Sequence, residues 1–587
     1  MTLVLLETLL PTSGETKNIW ISNPEKILQT SELSRVTETL REVEDSVSSG
    51  YLAAGFISYE TGYHFLPNMP AVSSSFPLVW FALSKTHDSQ VPPDFDAQNV
   101  AELHDLSLDT TLEEYSHAIA SIREHIAEGN TYQVNYTMRY RGKFKGSTRA
   151  LYRQLCRKQR VPYAAYIETD QWSIISLSPE LFFRRKGSQL LMRPMKGTAR
   201  RGRTLKEDRE LSQELLNSEK ERAENLMIVD LLRNDLGKVC EAGTVIVSQP
   251  LVVERYETVL QMTSQIEGVA RKDLTFGALM KAVFPSGSVT GAPKVRTMQI
   301  IQGLEKSPRG VYTGCIGFVS PEETVFSVAI RTAVVQEGKL EMGVGSGVLY
   351  EADAAREYEE CRLKARFLTN PPVEFELIET ILWLPESGYQ RLSLHLDRLL
   401  ESAEYFLMPL ERQNVLKFLQ QNIPLSARPM RVRLTVDRGG GTRISTTELD
   451  ELSAFDIRWA IPSVNSEDPF LFHKTTHRPL QRLELNRARG EGYLEVIFRN
   501  ERDEVTEGAF SNLWIFKNGV YFTPPISSGL LSGSYRRYLL AQENFPAEER
   551  VLRQQDVEQA DAIFISNAIR GLLQVRLRTG NSKPQTE

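Results

Sequence analysis

Over the first 370 residues the apolar positions come in short runs, each closed by a turn signal. WSIISLSPELFF (172–183) is parted from LLMRPM (190–195) by Arg185-Lys186-Gly187-Ser188. TVFSVAIRTAVV (324–335) is parted from LEMGVGSGV (340–348) by Gln336-Glu337-Gly338-Lys339. Short apolar or alternating runs joined through glycine turns predict antiparallel meanders. Between them, the stretches 113–128, 205–233 and 351–368 repeat their apolar positions three and four residues apart, which predicts helices.

The pattern breaks at Thr369-Asn370-Pro371-Pro372, because consecutive prolines cannot continue the helix before them. A new pattern opens at FELIETILWL (375–384), so the chain reads as one domain over 1–370 and another over 374–587. The second holds a helical HLDRLLESAEYFL (395–407), a strand RVRLTV (431–436) and a hairpin, LWIFKNGVYFTP, turning at Asn518-Gly519. No 20–50-residue period recurs and no segment is of low complexity.

Composition narrows the class without supplying chemistry. With 41% apolar and 25% charged residues in 587, the chain is an ordinary globular sequence. A net charge of −6 excludes the basic footprint of a nucleic-acid binder. No run of 18 apolar residues occurs, so no membrane-spanning helix is expected. Cys156, Cys240, Cys315 and Cys361 are widely spaced and form no CxxC pair, which favours a reducing cytoplasmic setting over a disulfide framework.

Candidate chemistry starts with carboxylates. In SEKERAENLMIVDLLRNDLGKV (218–239), Glu221 and Glu224 share a helix face with Ile228 and Leu231, which ought to be core. Carboxylates heading an apolar stripe are costly to bury unless paired or metal-bound. Glu357 and Glu360 form a second such pair, with Lys364 four residues on. Two pairs can hold one Mg²⁺, a hard cation that takes oxygen ligands; the same spacing also suits solvated helix surfaces. RPMKGTARRGR (193–203) sets Lys196 beside Gly197 among arginines. FPSGSVTGAPKVR (284–296) and GVGSGV (343–348) are small-residue loops whose N–H groups can cradle an anion.

Nine segments then fall in one order: EGNTYQVNY, SLSPELFF, RPMKGTARRGR, the 218–239 helix, SGSVTGAPKVRTMQ, YTGCIGF, AIRTA, GVGSGV and EECRLKA. Together they resemble the chorismate-utilising enzymes, which include anthranilate, aminodeoxychorismate, isochorismate and salicylate synthases. The resemblance implies Mg²⁺ held by Glu221, Glu224, Glu357 and Glu360. It implies substrate held by Gln133, Thr290, Tyr312, Arg331, Gly345 and Lys364, with Glu180 as the acid that protonates the departing C4 hydroxyl. Such an acid must stay protonated near neutral pH. Relatives that add water carry a lysine base where Gln133 stands, and anthranilate synthases usually carry alanine where Lys196 stands. Lysine at 196 is similar to aminodeoxychorismate synthases, where it attacks C2 before ammonia displaces it at C4; that requires a neutral amine. No cysteine sits in a Gly-x-Cys-x-Gly setting, so ammonia is expected from solution or from a separate glutamine amidotransferase subunit. LVLLETLLP resembles the stretch lining a tryptophan pocket in relatives.

The second domain resembles the fold type IV pyridoxal-phosphate enzymes, which include branched-chain and D-amino-acid aminotransferases and aminodeoxychorismate lyase. The resemblance is carried by RLSLHLDRL (391–399), FHKTTHRPLQR around Lys474, Glu507 ahead of GAFSNLWIF, GLLSGSYRR (529–537) and IFISNAIRG (563–571). It implies Lys474 as the lysine that joins pyridoxal phosphate and Glu507 as the partner of its ring nitrogen. It implies a phosphate site from Arg391, Leu531, Gly533, Ser534, Ser566, Asn567 and Ala568, and pairing of two copies through this domain. The implied architecture is an antiparallel, β-sandwich-like α+β domain with outer helices, then a two-lobed α/β domain. The implied function is 4-aminobenzoate synthesis from chorismate and ammonia in two steps, for folate. The alternative is an anthranilate synthase-like domain fused to an aminotransferase.

Overall fold

The computed structural model describes residues 2–10, 17–69, 76–91, 95, 100–369, 373–452 and 454–578, and every structural statement below refers to these. Asn370, Pro371 and Pro372 of the expected boundary lie outside them. The chain divides into two compact units, Met1–Ala199 with Ser212–Pro372, and Arg200–Leu211 with Val373–Glu587.

The first unit contains two antiparallel sheets. A nine-stranded sheet runs through Gln133–Gly146, Lys339–Val348, Thr332–Gln336, Trp172–Ser178, Tyr163–Glu168 and Leu3–Glu7. A ten-stranded sheet runs through Met195–Arg200, Val259–Val269, Gln189–Arg193, Leu181–Lys186, Glu323–Val328, Cys315–Val319 and Leu52–Ile57. Val4, Ile174, Phe56, Trp80 and Ile316 form one buried cluster drawn from both sheets, as side chains facing alternate sides of a strand require.

Two runs expected as single strands each contribute to both sheets. WSIISLSPELFF divides at Pro179-Glu180 into Trp172–Ser178 and Leu181–Lys186. TVFSVAIRTAVV divides at Ala329–Arg331 into Glu323–Val328 and Thr332–Gln336. Proline lacks the N–H a ladder needs, which accounts for the first break. Arg331 makes the second with a left-handed φ of 51°, a conformation that costs an L-residue roughly 1–2 kcal/mol. The crossings lie side by side: Thr332 pairs with Ser176 and Leu181 with Ser327.

The expected helix over 205–233 is two helices, Leu205–Asn217 and Glu219–Gly237. Ser218 between them is extended, and its hydroxyl accepts from Glu221 N, so it caps the second helix. The 351–368 stretch is Ala354–Lys364 followed by Arg366–Thr369.

The second unit has two lobes. The first is a four-stranded antiparallel sheet covered by the helix Leu392–Tyr405. Along its strand Leu377–Leu384, the alternate positions Leu377, Glu379, Ile381 and Trp383 are buried, so a glutamate sits in a core row. The second lobe is an eight-stranded mixed sheet, in which Asp456–Trp459 pairs in parallel with Glu495–Arg499 and Gly571–Leu577. Its hairpin turns at Asn518 (φ 52°) and Gly519 (φ 82°), the two positive angles that a two-residue turn needs.

Two candidate active sites

In the first unit the two crossings place Glu180 and Arg331 on a cavity of about 220 Å³. Lys196, Tyr312, Gly345, Lys364 and all four predicted metal-binding glutamates line the same cavity. Glu180 is buried, and its Oε1 accepts from the Ser288 hydroxyl at 2.7 Å. Burial pushes its carboxyl up to about 7 against the opposing pull of that hydroxyl, so near neutrality it still carries a proton to give. Lys196 lies on Met195–Arg200, and Asn225 fixes its backbone by donating from Nδ2 to the Lys196 carbonyl at 3.0 Å.

Arg331 is the charge left open. Its buried Nη1 has no hydrogen-bond partner, and burial lowers its pKa to about 10. A guanidinium held this way has strong reason to take an anion. Lys364 donates to the Gly345 carbonyl at 3.0 Å and pairs with Glu360 at 2.7 Å.

The four glutamates share a wall without forming a finished metal site. Among the described residues no three carboxylate, histidine or cysteine groups stand close enough to hold an ion, and Glu360 is engaged by Lys364. The chemistry of the set nevertheless suits a hard cation. Burial raises Glu224 and Glu357, with like charge from Glu221 and Glu360 adding to the shift, a repulsion that a divalent ion relieves.

Two predicted substrate residues lie off this wall. Thr290 is fully buried; its hydroxyl donates to Ser286 O and its carbonyl receives Asn135 N, so it shapes the loop from behind. Gln133 is likewise buried, with its side chain against Gly347.

Sequence reasoning missed Arg309. Its guanidinium donates to Val289 O at 2.8 Å and Asn135 O at 2.6 Å, and it pairs with Glu305 at 2.7 Å. Its own N–H and that of Gly310 are held by the buried Glu60. One side chain thereby ties the loop before Thr290 to the YQVNY strand. The only signal was an arginine three residues ahead of Tyr312.

In the second unit Lys474 and Glu507 line a cavity of about 660 Å³. Burial lowers the Lys474 amine to about 7, with Arg398 and Arg478 adding to the shift. Burial raises Glu507 to about 7 against Arg478, whose Nη1 stands 3.5 Å from Oε1. Asn512 Nδ2 donates to Glu507 Oε2 at 3.1 Å and to Leu531 O at 2.8 Å, joining the glutamate to the predicted phosphate loop.

Leu531, Gly533, Ser534, Ser566, Asn567 and Ala568 all line this cavity. At Gly533 a β-carbon would come within 2.0 Å of Asn512 Oδ1, so any larger residue would have to displace that amide. Arg391 is not on the cavity wall. It donates from Nη2 to Ala568 O at 2.9 Å, while its buried Nε has no partner. These residues fit pyridoxal phosphate: a lysine amine near neutrality, a buried carboxylate, and a serine- and glycine-lined cup backed by an arginine.

The core glutamate, Glu379, was also missed. Arg398 clasps it with Nε at 2.8 Å and Nη2 at 2.6 Å, and His395 Nδ1 stands 2.6 Å away. Burial alone would raise Glu379, but Arg398 and His395 outweigh it and hold the carboxyl at about 2. His395 Nε2 then meets the Ser534 hydroxyl at 3.2 Å, and Arg398 Nη1 donates to Ser532 O. The signal was a glutamate at an inward position of an apolar alternation.

Comparison with known proteins places these sites in families. A model described as chorismate binding enzyme matches residues 7–370, and one described as amino-transferase class IV matches 376–577. Anthranilate synthase component 1 of Aquifex aeolicus is 40% identical over 259 residues, 44% of this chain and 52% of that one. Aminodeoxychorismate synthase component 1 of Bacillus subtilis is 41% identical over 252 residues, 43% of this chain and 54% of that one. The chain thus spans about half the length of these relatives. Anthranilate synthase component I from Streptococcus pneumoniae superposes with a TM-score of 0.51 at 24% identity, over 63% of this chain and 92% of that one, which establishes shared fold. With one family model spanning more than half of its residues, the chain belongs to the chorismate binding enzymes, and behind that region it carries a domain of the class IV aminotransferases.

Proposed function

We propose that the chain converts chorismate and ammonia to 4-aminobenzoate and pyruvate in two steps, one at each site, as a cytoplasmic enzyme supplying folate synthesis. The observation that carries the reading is Lys196 on one cavity with Glu180. Anthranilate and aminodeoxychorismate synthases match this chain almost equally well, so overall similarity does not separate them. An amine in this position does, because it offers a nucleophile for C2.

In the first step Lys196 Nζ attacks C2 while Glu180 gives its proton to the C4 hydroxyl, which leaves as water. Ammonia then adds at C4, the double bond shifts, and the Lys196–C2 bond breaks to restore the amine. The products are 4-amino-4-deoxychorismate and water. Arg331 and Lys364 bind the substrate carboxylates and Tyr312 closes the wall. Glu221, Glu224, Glu357 and Glu360 would hold Mg²⁺, which supplies positive charge for a substrate carboxylate. Ammonia comes from a separate glutamine amidotransferase or from solution.

In the second step Lys474 Nζ takes the proton from C4, and the enolpyruvyl group leaves as the ring becomes aromatic. The same amine returns a proton to the departing enol, giving pyruvate. Pyridoxal phosphate, which Lys474 would join at rest and which Glu507, the 531–534 loop and Ser566–Ala568 would hold once that amine is freed, would supply the electron sink. The fusion supports elimination over transamination, since the product of the first site is the substrate of the second and a shared chain raises their encounter rate.

The test is to give the whole protein chorismate, Mg²⁺, ammonium and pyridoxal phosphate and identify the aromatic product. 4-Aminobenzoate with equimolar pyruvate is expected. Anthranilate would overturn the first assignment, accumulation of 4-amino-4-deoxychorismate would overturn the second, and no turnover would overturn both.

A further inference from the structure

The turn between Glu507 and Asn512 rests on a carboxylate that is not on the cavity wall. Glu495 opens the strand Glu495–Arg499 and is fully buried. Its Oε1 accepts from Val496 N and from Ala509 N, each at 3.0 Å. Its Oε2 accepts from Phe510 N at 3.1 Å and from the Ser511 hydroxyl at 2.9 Å. Ala509, Phe510 and Ser511 belong to the turn itself, which Gly508 N closes by donating to Ser511 O at 2.8 Å. The carboxylate stands so close beneath it that a β-carbon on Gly508 would meet Glu495 Cδ and Oε2 at 2.8 Å.

Both ends of the turn belong to the site. Glu507 pairs with Asn512 across the hairpin, and Asn512 Nδ2 donates to Glu507 Oε2 and to Leu531 O. Phe510 and Ser511 line the same cavity. Among the described residues no cation pairs with Glu495, and a buried carboxylate without one is costly. A glutamine would fill the same space without a charge. It has one acceptor oxygen, however, and would turn its own N–H groups toward two of these donors. The carboxylate suits the position because both of its oxygens are needed to hold the turn.

We infer that Glu495 is a positioning residue for Glu507: by binding the turn from behind, it fixes where Glu507 and Asn512 stand in the cavity. A loosened turn lets these two part, and with them goes the tie to Leu531 of the predicted phosphate loop. The inference rests on Glu507 as the partner of the cofactor's ring nitrogen, and the cycle below separates the two claims.

The experiment is a double-mutant cycle on the full chain loaded with pyridoxal phosphate, comparing Glu495→Gln, Glu507→Gln and the two together. Each protein is read by the absorbance and dissociation constant of the cofactor, and by kcat and KM for elimination from supplied 4-amino-4-deoxychorismate. Glu495→Gln should lower kcat about 100-fold, weaken cofactor binding about tenfold and move the cofactor absorbance toward that of Glu507→Gln. In the Glu507→Gln background it should change kcat by less than about twofold, because a residue that acts through another then has nothing to act on. Glu495→Asp keeps both oxygens on a shorter stem and should fall between; it carries the cycle if Glu495→Gln does not fold. If the wild type does not turn over this substrate, the proposed second step falls, and cofactor absorbance and affinity still decide the cycle. If Glu507→Gln keeps the wild-type absorbance and affinity, the reading of Glu507 falls and this inference with it. If Glu507→Gln is impaired while the losses of the two variants multiply, or Glu495→Gln leaves absorbance and affinity unchanged, the inference alone is overturned.

Discussion

The two cavities handle buried charge in opposite ways. In the first unit the charged groups face the cavity with few protein partners. Arg331 Nη1 has none, and Glu224 and Glu357 are raised by burial and crowded by like charge. In the second unit the buried carboxylates are held by protein partners before any ligand is considered. Glu379 is clasped by Arg398 and His395, and Glu507 by Arg478 and Asn512. The difference teaches what each site is built to do. An open set of charges is completed by ions and substrates that come and go, whereas a closed set holds a permanent shape for a bound cofactor.

The sharpest way to break the comparison is to remove one lysine at a time. Lys474→Ala should abolish 4-aminobenzoate formation while chorismate is still consumed and 4-amino-4-deoxychorismate accumulates, as chromatography of the reaction will report. Continued 4-aminobenzoate release at the normal rate would remove Lys474 from the chemistry. Glu180→Gln should slow chorismate consumption by about 10²–10⁴-fold, the usual worth of a positioned acid, with elimination from supplied 4-amino-4-deoxychorismate unchanged.

Next come the buried networks. Arg309→Met leaves Glu305 buried without its cation and frees two backbone anchors, and should cost about 3–5 kcal/mol in urea unfolding. Glu379→Gln should cost a similar amount in the second unit, where Arg398 would lose its counter-charge. Because Glu379 touches the phosphate loop through His395 and Ser534, this variant should also weaken pyridoxal phosphate binding, read by its absorbance. A Glu379→Gln protein that binds the cofactor normally would show that the frame is not needed for it.

The smallest effect is a difference in pH slope. In the proposed first step Glu180 gives a proton, and burial raises its carboxyl to about 7, so the part of chorismate consumption that Glu180→Gln removes should shrink as pH climbs through 7. In the proposed second step Lys474 takes a proton, and its amine is lowered to about 7, so elimination from supplied 4-amino-4-deoxychorismate should rise as pH climbs through 7. Parallel slopes in the two half-assays would contradict the assignment of one group as acid and the other as base.

Much of both sites was legible in order and type. Lys196, Glu180, Arg331 and the four glutamates meet on one cavity, and Lys474, Glu507 and the 531–534 and 566–568 segments on another. What escaped was what holds them. Arg309 and Glu379 are charged residues doing structural service, and a charge's partners are invisible until the fold brings them near. The helix expected over 205–233 hid its own break, because apolar spacing ran on through a capping serine. The crossings at Glu180 and Arg331 were read as uninterrupted strands for the same reason. Periodicity reports which face is apolar, and says nothing of which sheet a strand joins.

The sequence by itself carried the local periods and the residue types able to do the chemistry, since these depend on spacing and chemical character along the chain. Only the tertiary structure decided that Gln133 stands behind Gly347 instead of on the cavity wall, that Arg391 reaches Ala568 from outside the cup, and that Glu360 is engaged by Lys364. Those outcomes are set by contacts between residues far apart in the chain, where burial and partner charge, and not spacing, fix what a side chain can do.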